Sequence, residues 1–130
     1  MKKTYMGSCH CRAVCFEADI DLSVGTFKCN CSICTKTRTW AAIAKPDAFR
    51  LLAGEADLVD YRPYSIHHVF CKHCGVRPFS WGDDPGGKFY AVRLSSLEGM
   101  DIDELVKGPI TYFDGCNDNY QSPPAETRHL

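Results

Sequence analysis

Seven of the nine cysteines fall into three short groups: Cys9-x-Cys11, Cys29-x-Cys31-x-x-Cys34 and Cys71-x-x-Cys74. Cys15 and Cys116 stand alone. Nine is an odd number, whereas a closed disulfide framework uses an even one. Lys2 and Lys3 have no apolar stretch behind them, so the start does not read as a secretory signal. The expected compartment is therefore the reducing cytoplasm, where thiols stay free or bind metal. Sulfurs separated by one or two residues can share one ion, so the fold must be organised around metal sites.

The ligand count suggests two unequal centres. In an extended chain, residues two apart point to the same side, so Cys9 and Cys11 can face one metal. Cys71 and Cys74 flank a tight turn, and Gly75 can take the positive φ angle that the exit of such a turn demands. The two pairs together make a four-thiolate site that fastens the N-terminal region to the middle of the chain. Cys29, Cys31 and Cys34 then remain as a triad. Four protein ligands are the pattern of structural zinc, and three plus water the pattern of catalytic zinc. Spacing alone also permits Cys29 and Cys31 to exchange places with Cys9 and Cys11. The triad's fourth ligand could be Cys15, Cys116, a histidine or water. Cys15 is expected as a buried apolar thiol, and Cys116, in the turn-like "FDGCNDN", as exposed.

The rest of the chain reads as one mainly β domain over residues 1–115, with a polar tail over 116–130 that is expected to be extended or partly disordered. Hydrophobic residues make up 45% and charged residues 24%, the balance of a folded chain rather than a disordered one. The formal net charge of −1 gives no basic surface for nucleic acid, and no run is long and apolar enough to span a membrane. Strand patterns occur at 13–18, 40–44, 56–61, 67–71, 76–81 and 88–94. The turn-rich "GDDPGG" predicts a hairpin between the last two. "YRPYS" joins the pair before them. "DIDELV" at 101–106 is the clear helix, with Asp101 as its cap and Gly108-Pro109 as its end. "PDAF" at 46–49 predicts a single helical turn. His67 and His68 lie on a strand and must point to opposite faces, so at most one of them meets a given site.

The segments "GSCHCRAVCFE", "CNCSIC" and "FCKHCGVRPF", in that order, resemble the glutathione-dependent formaldehyde-activating enzyme family, which also includes centromere protein V. The resemblance runs from Gly7 to about Asp114. It implies an Mss4-like fold, a complex of small antiparallel sheets with few short helices stapled by zinc. It also implies two zinc ions per chain. Cys9, Cys11, Cys71 and Cys74 would hold the structural ion, and Cys29, Cys31 and Cys34 the catalytic one. One position departs from the family's usual pattern: Thr39, followed by the bulky Trp40, stands where a small residue is common.

The activity implied is that of a carbon–sulfur lyase acting on adducts of a small thiol such as glutathione with an aldehyde such as formaldehyde. Glutathione carries two carboxylates, and Lys36 and Arg38, just after the triad, are the candidate residues to bind them. Two other readings remain open on the residues alone. One is a non-catalytic zinc-stabilised binding module, in which both centres are closed by side chains. The other is a zinc carrier or sensor, with a labile triad and no turnover. The fourth ligand of the triad's metal separates the enzyme from the module, and metal-exchange kinetics beside a substrate screen separate the carrier or sensor.

Overall fold

The computed structural model describes residues 1–130. It is mainly β, as expected, with two sheets and two short α-helices. Strands β1 (Lys3–Ser8), β2 (Cys15–Ile20) and β5 (Phe49–Ala53) form a three-stranded antiparallel sheet in the order β1-β2-β5. The other strands are β3 (Thr26–Cys29), β4 (Trp40–Ala44), β6 (Leu58–Tyr61), β7 (His67–Cys71), β8 (Phe79–Asp84), β9 (Gly87–Arg93) and β10 (Ile110–Phe113). They form a seven-stranded sheet in the order β10-β3-β4-β9-β8-β7-β6. Every pairing is antiparallel except that of β10 with β3, which is parallel. No helix is long and apolar enough to cross a membrane.

The predicted hairpins are present: β8 pairs with β9 across Pro85-Gly86, and β6 with β7. Helix α2 (Ile102–Lys107) begins where the sequence signals it. The Asp101 carboxylate accepts hydrogen bonds from the N–H groups of Asp103 and Glu104, and Gly108 ends the helix. The turn at Pro46–Ala48 is a single 3-10 turn with proline at its start. A second α-helix, α1 (Ser32–Thr37), was not expected. "SICTKT" has neither apolar periodicity nor strong helix formers. It follows Cys31 directly, so the metal-binding loop dictates its start.

The core lies between the two sheets. Side chains alternate along a strand, so the row Phe79–Val92–Ala42 across β8, β9 and β4 faces inward together with Val69. Phe16 and Ala18 of β2 and Phe49 of β5 meet it from the smaller sheet. Phe49 stacks on Tyr90 with ring centroids 4.0 Å apart, and its ring lies 4.7 Å from that of Phe79. The alternate row, Phe27–Ala41–Arg93, projects from the opposite face of the larger sheet. His68, Ser80 and Ala91 share that outer face by register. The pattern therefore separates His67 from His68, as required: His67 stacks on Trp81 at 3.7 Å and is hydrogen-bonded to Asp60 at 2.6 Å, on the side away from His68.

Gly54 sets the spacing between β5 and the loop that follows β1. It has a φ of +87°, and a Cβ there would lie 2.2 Å from the carbonyl oxygen of Ala13, a backbone atom that cannot swing aside. Gly54→Ala is expected to lower stability by about 2 kcal/mol or more, a fall of roughly 5–10 °C in melting temperature, from combined clash and backbone strain. Thermal melts of the two proteins under the same reductant check this.

Candidate metal centres

The three cysteine groups converge into two clusters. The Sγ atoms of Cys9, Cys11, Cys71 and Cys74 all lie within 4.8 Å of one another, as do those of Cys29, Cys31 and Cys34. A tetrahedral zinc with Zn–S bonds of 2.3 Å sets its sulfurs roughly 3.8 Å apart. The Cys9–Cys11 and Cys11–Cys71 sulfurs are 3.7 and 3.6 Å apart. The donor set is all thiol, the soft ligand that zinc accepts readily. The first cluster could therefore hold a zinc ion. All nine cysteines are free thiols.

The local geometry differs from the extended pairs expected. Cys9 and Cys11 flank a turn just beyond β1, in which Arg12 takes a φ of +66° and its N–H donates to the Cys9 carbonyl. Cys29 ends β3, and Cys31 caps α1, so the same x-spacing is produced by a strand end and a helix start. A turn brings the two sulfurs of a Cys-x-Cys pair together better than a strand, where side chains two apart lie nearly 7 Å from each other. Gly75 does take a positive φ, of +75°, and its N–H donates to the Cys71 carbonyl at 2.8 Å.

Backbone donors face the sulfurs. The N–H groups of Cys31 and His73 each lie 3.4 Å from the sulfur two residues earlier, Cys29 and Cys71 respectively. The N–H of Val14 donates to Cys9 Sγ at 3.4 Å. Such bonds favour the ionised sulfur. The Cys29 and Cys34 thiols, with help from the Cys34 and Ile33 N–H groups, pull the Cys31 thiol far below the usual thiol range. Cys34 is driven upward by Cys29 and Cys31, and Cys29 upward by Cys31. In the other cluster, the Cys11 and Val76 N–H groups lower Cys74 to about 6. Cys11 is pushed up to about 12: the Ala13 N–H favours its thiolate, but burial and the neighbouring sulfurs outweigh that. Crowded thiolates repel one another, and a divalent cation at their centre removes the conflict.

The two clusters differ in completeness. No fourth Cys, His, Asp or Glu ligand atom joins Cys29, Cys31 and Cys34. Cys116, one of the possible fourth ligands, is exposed and outside the cluster; its N–H donates to Asn30 Oδ1 at 2.9 Å. Cys15, the other lone thiol, is half-buried rather than buried, and donates to the Arg12 carbonyl at 3.1 Å. Lys36 and Arg38 stand on the last turn and the cap of α1, both exposed and in no ion pair with a carboxylate.

Several residues around the triad were not foreseen. Asn30, between two of the cysteines, clamps the loop to the chain's far end: its Nδ2 donates to Asp114 Oδ1 at 2.8 Å, and its N–H to the Phe113 carbonyl at 3.2 Å. Gly115 packs directly on the metal-binding loop. Arg93 and His68 lie on the outer sheet face that Cys29 shares, and nothing in the sequence reading singled out Arg93. Its signal was available: it is the one charge in the otherwise apolar "YAVRL" of a central strand. The 116–130 tail is tied back, its Leu130 carbonyl accepting from Lys28 Nζ at 3.2 Å.

A Cβ at Gly115 would lie 2.7 Å from Cys29 Sγ and 2.9 Å from Cys31 Cβ. Gly115→Ala is therefore expected to disturb the triad alone. Zinc content should fall from about two ions per chain towards one while the protein stays folded. Elemental analysis beside a thermal melt checks both parts.

The model of the glutathione-dependent formaldehyde-activating enzyme family matches residues 4–110. A crystal structure of a Rhodobacter sphaeroides protein, determined as a structural genomics target, resembles the chain with a TM-score of 0.68 at 28% identity. That match covers 82% of this chain and 99% of the other. With the cysteine groups, the sheets and the family match in agreement, the chain belongs to the glutathione-dependent formaldehyde-activating enzyme family.

Proposed function

We propose that the protein is a zinc-dependent enzyme of the carbon–sulfur lyase type, acting on adducts of a small thiol and an aldehyde such as S-hydroxymethylglutathione. The observation that carries this reading is the inequality of the two clusters. Cys9, Cys11, Cys71 and Cys74 could complete a tetrahedron, whereas Cys29, Cys31 and Cys34 stop at three. A purely structural pair of sites has no need of that difference.

Zinc bound by the triad would offer its remaining position to a thiol and stabilise the thiolate near neutral pH. The rest is the work of the chain. Cys29, Cys31 and Cys34 would hold the ion, and the Cys31 N–H donates to the Cys29 sulfur at 3.4 Å. Asn30, bonded to Asp114 and to the Cys116 N–H, fixes the loop against the tail so that the three sulfurs keep their positions. Lys36 and Arg38, free of carboxylate partners on the exposed end of α1, would pair with the carboxylates of glutathione. The net reaction is RSH + CH2O → RS–CH2–OH. One C–S bond forms, the carbonyl π bond is lost, and the thiol proton ends on the oxygen. The lyase direction is the reverse.

The two sites should fail differently. The four-cysteine cluster joins residue 9 to residue 74, so its metal-binding energy is folding energy as well. Cys71→Ser is expected to lower the melting temperature by about 10 °C or more, or to yield insoluble protein. The triad lies within six residues and constrains little of the unfolded chain. Cys34→Ser should melt within about 5 °C of the parent, retain about one zinc, and lose glutathione-dependent conversion of formaldehyde. Melts, zinc content and product formation are compared in parallel. A Cys34→Ser protein that still converts formaldehyde would remove the triad from the chemistry.

A further inference from the structure

Arg93 ends β9 and is only 5% exposed. Register places it in the row Phe27–Ala41–Arg93, and Cys29 follows Phe27 by two residues on the same face. Its Nε is buried without a hydrogen-bond partner. It forms no ion pair with an aspartate or glutamate, and the acidic groups that act on it are the thiols of Cys34 and Cys31. A buried lysine could shed its proton, but a guanidinium cannot. A buried fixed charge needs an opposite one nearby.

Arg93 is not alone on this side. Arg77 lies over the rings of Phe70 and Tyr61, and its Nη1 donates to the His68 carbonyl at 3.3 Å. The Nδ1 of His68 is buried and without a partner, and burial, followed by the charges of Arg93 and Arg77, lowers the pKa of that ring. The four-cysteine cluster presents the opposite case. There the neighbouring basic groups are matched by carboxylates: Arg12 by Glu98 at 3.1 Å, and Lys72 and His73 by Asp57 at 3.6 and 2.8 Å. Carboxylates answer the basic groups around that centre, whereas none pairs with Arg93 beside the other.

Three thiolates around a divalent ion sum to −1, which makes a centre reluctant to accept a further anion. A fourth thiolate brings the sum to −2. Arg93 supplies one positive charge against that sum, held in place by burial.

We propose that Arg93 is the counter-charge of the three-cysteine centre and sets the class of its fourth ligand, favouring an anionic sulfur over a neutral nitrogen or water. Arg93 is a positioning and specificity residue here, acting through the centre's charge. The inference rests on the triad holding a metal that takes a thiol.

The test uses cobalt-substituted protein, with 2-mercaptoethanol as an uncharged-tail thiol and imidazole as a neutral ligand. Binding is read from the cobalt absorption bands. Arg93→Met should weaken thiol binding by about tenfold or more while imidazole affinity moves less than about twofold. Should Arg93→Met be insoluble, Arg93→Gln carries the same comparison. A thiol-to-imidazole ratio unchanged within twofold in the neutral variant overturns the proposal, because a packing defect would weaken both ligands together. The triad's metal affinity, measured by competition with a chromophoric chelator, is a separate readout. It should fall about tenfold in Arg93→Met, with the four-cysteine site unaffected. If the parent takes no thiol at the metal, the proposed function fails, and that affinity alone judges Arg93: a change under twofold dismisses it as counter-charge.

Discussion

The convergence of Cys9 and Cys11 on Cys71 and Cys74 is the contact on which the structure depends. Cys9 follows the last residue of β1 in the smaller sheet, and Cys71 is the last residue of β7 in the larger one. The Cys11 and Cys71 sulfurs, 3.6 Å apart, thus fasten one sheet to the other at the edge of the core. A domain of this size has a modest core, and its central aromatic group of Phe16, Phe49, Phe79 and Tyr90 lies in the layer this junction closes. Metal bound there would hold both layers in register. The outer face of the larger sheet, on which the second centre stands, is positioned as a result.

Much of this architecture could be read from local chemistry. Alternation marked β2, where every second residue is buried, and short apolar or β-rich runs between turn residues marked β4 and the β6–β9 strands. Asp101 and Gly108 marked both ends of α2. The cysteine groups announced two clusters because their spacing is a local property, while the choice of which groups share an ion rested on the family resemblance. Interactions between distant residues left no such trace. The parallel pairing of β10 with β3 joins segments with no shared pattern. The Asn30–Asp114 bond spans 84 positions. Strands β1, β3, β5 and β10 were passed over: β3 and β10 are only four residues long, and β1 is half polar; α1 has no helical signal of its own.

The candidate site divides along the same line. Its sulfur ligands were evident from spacing, while the charges that surround them were not. Lys36 and Arg38 attracted notice by lying next to the triad, yet both are exposed, where a charge is solvated and costs little. Arg93 lies far off in sequence but is buried, where a charge must be answered. Proximity in sequence was the weaker guide, because a sheet brings together residues that the chain keeps apart.

The turn at 114–119 gives the family relationship a limit. The family match ends at residue 110, but Asp114, Gly115 and Cys116 hold or touch the loop that carries Cys29 and Cys31. Membership accounts for the seven grouped thiols, and the wall against the triad is contributed by a stretch outside that match. A substitution at 114–116 can therefore alter what surrounds the three sulfurs, and what an entering molecule meets, while every grouped cysteine stays in place.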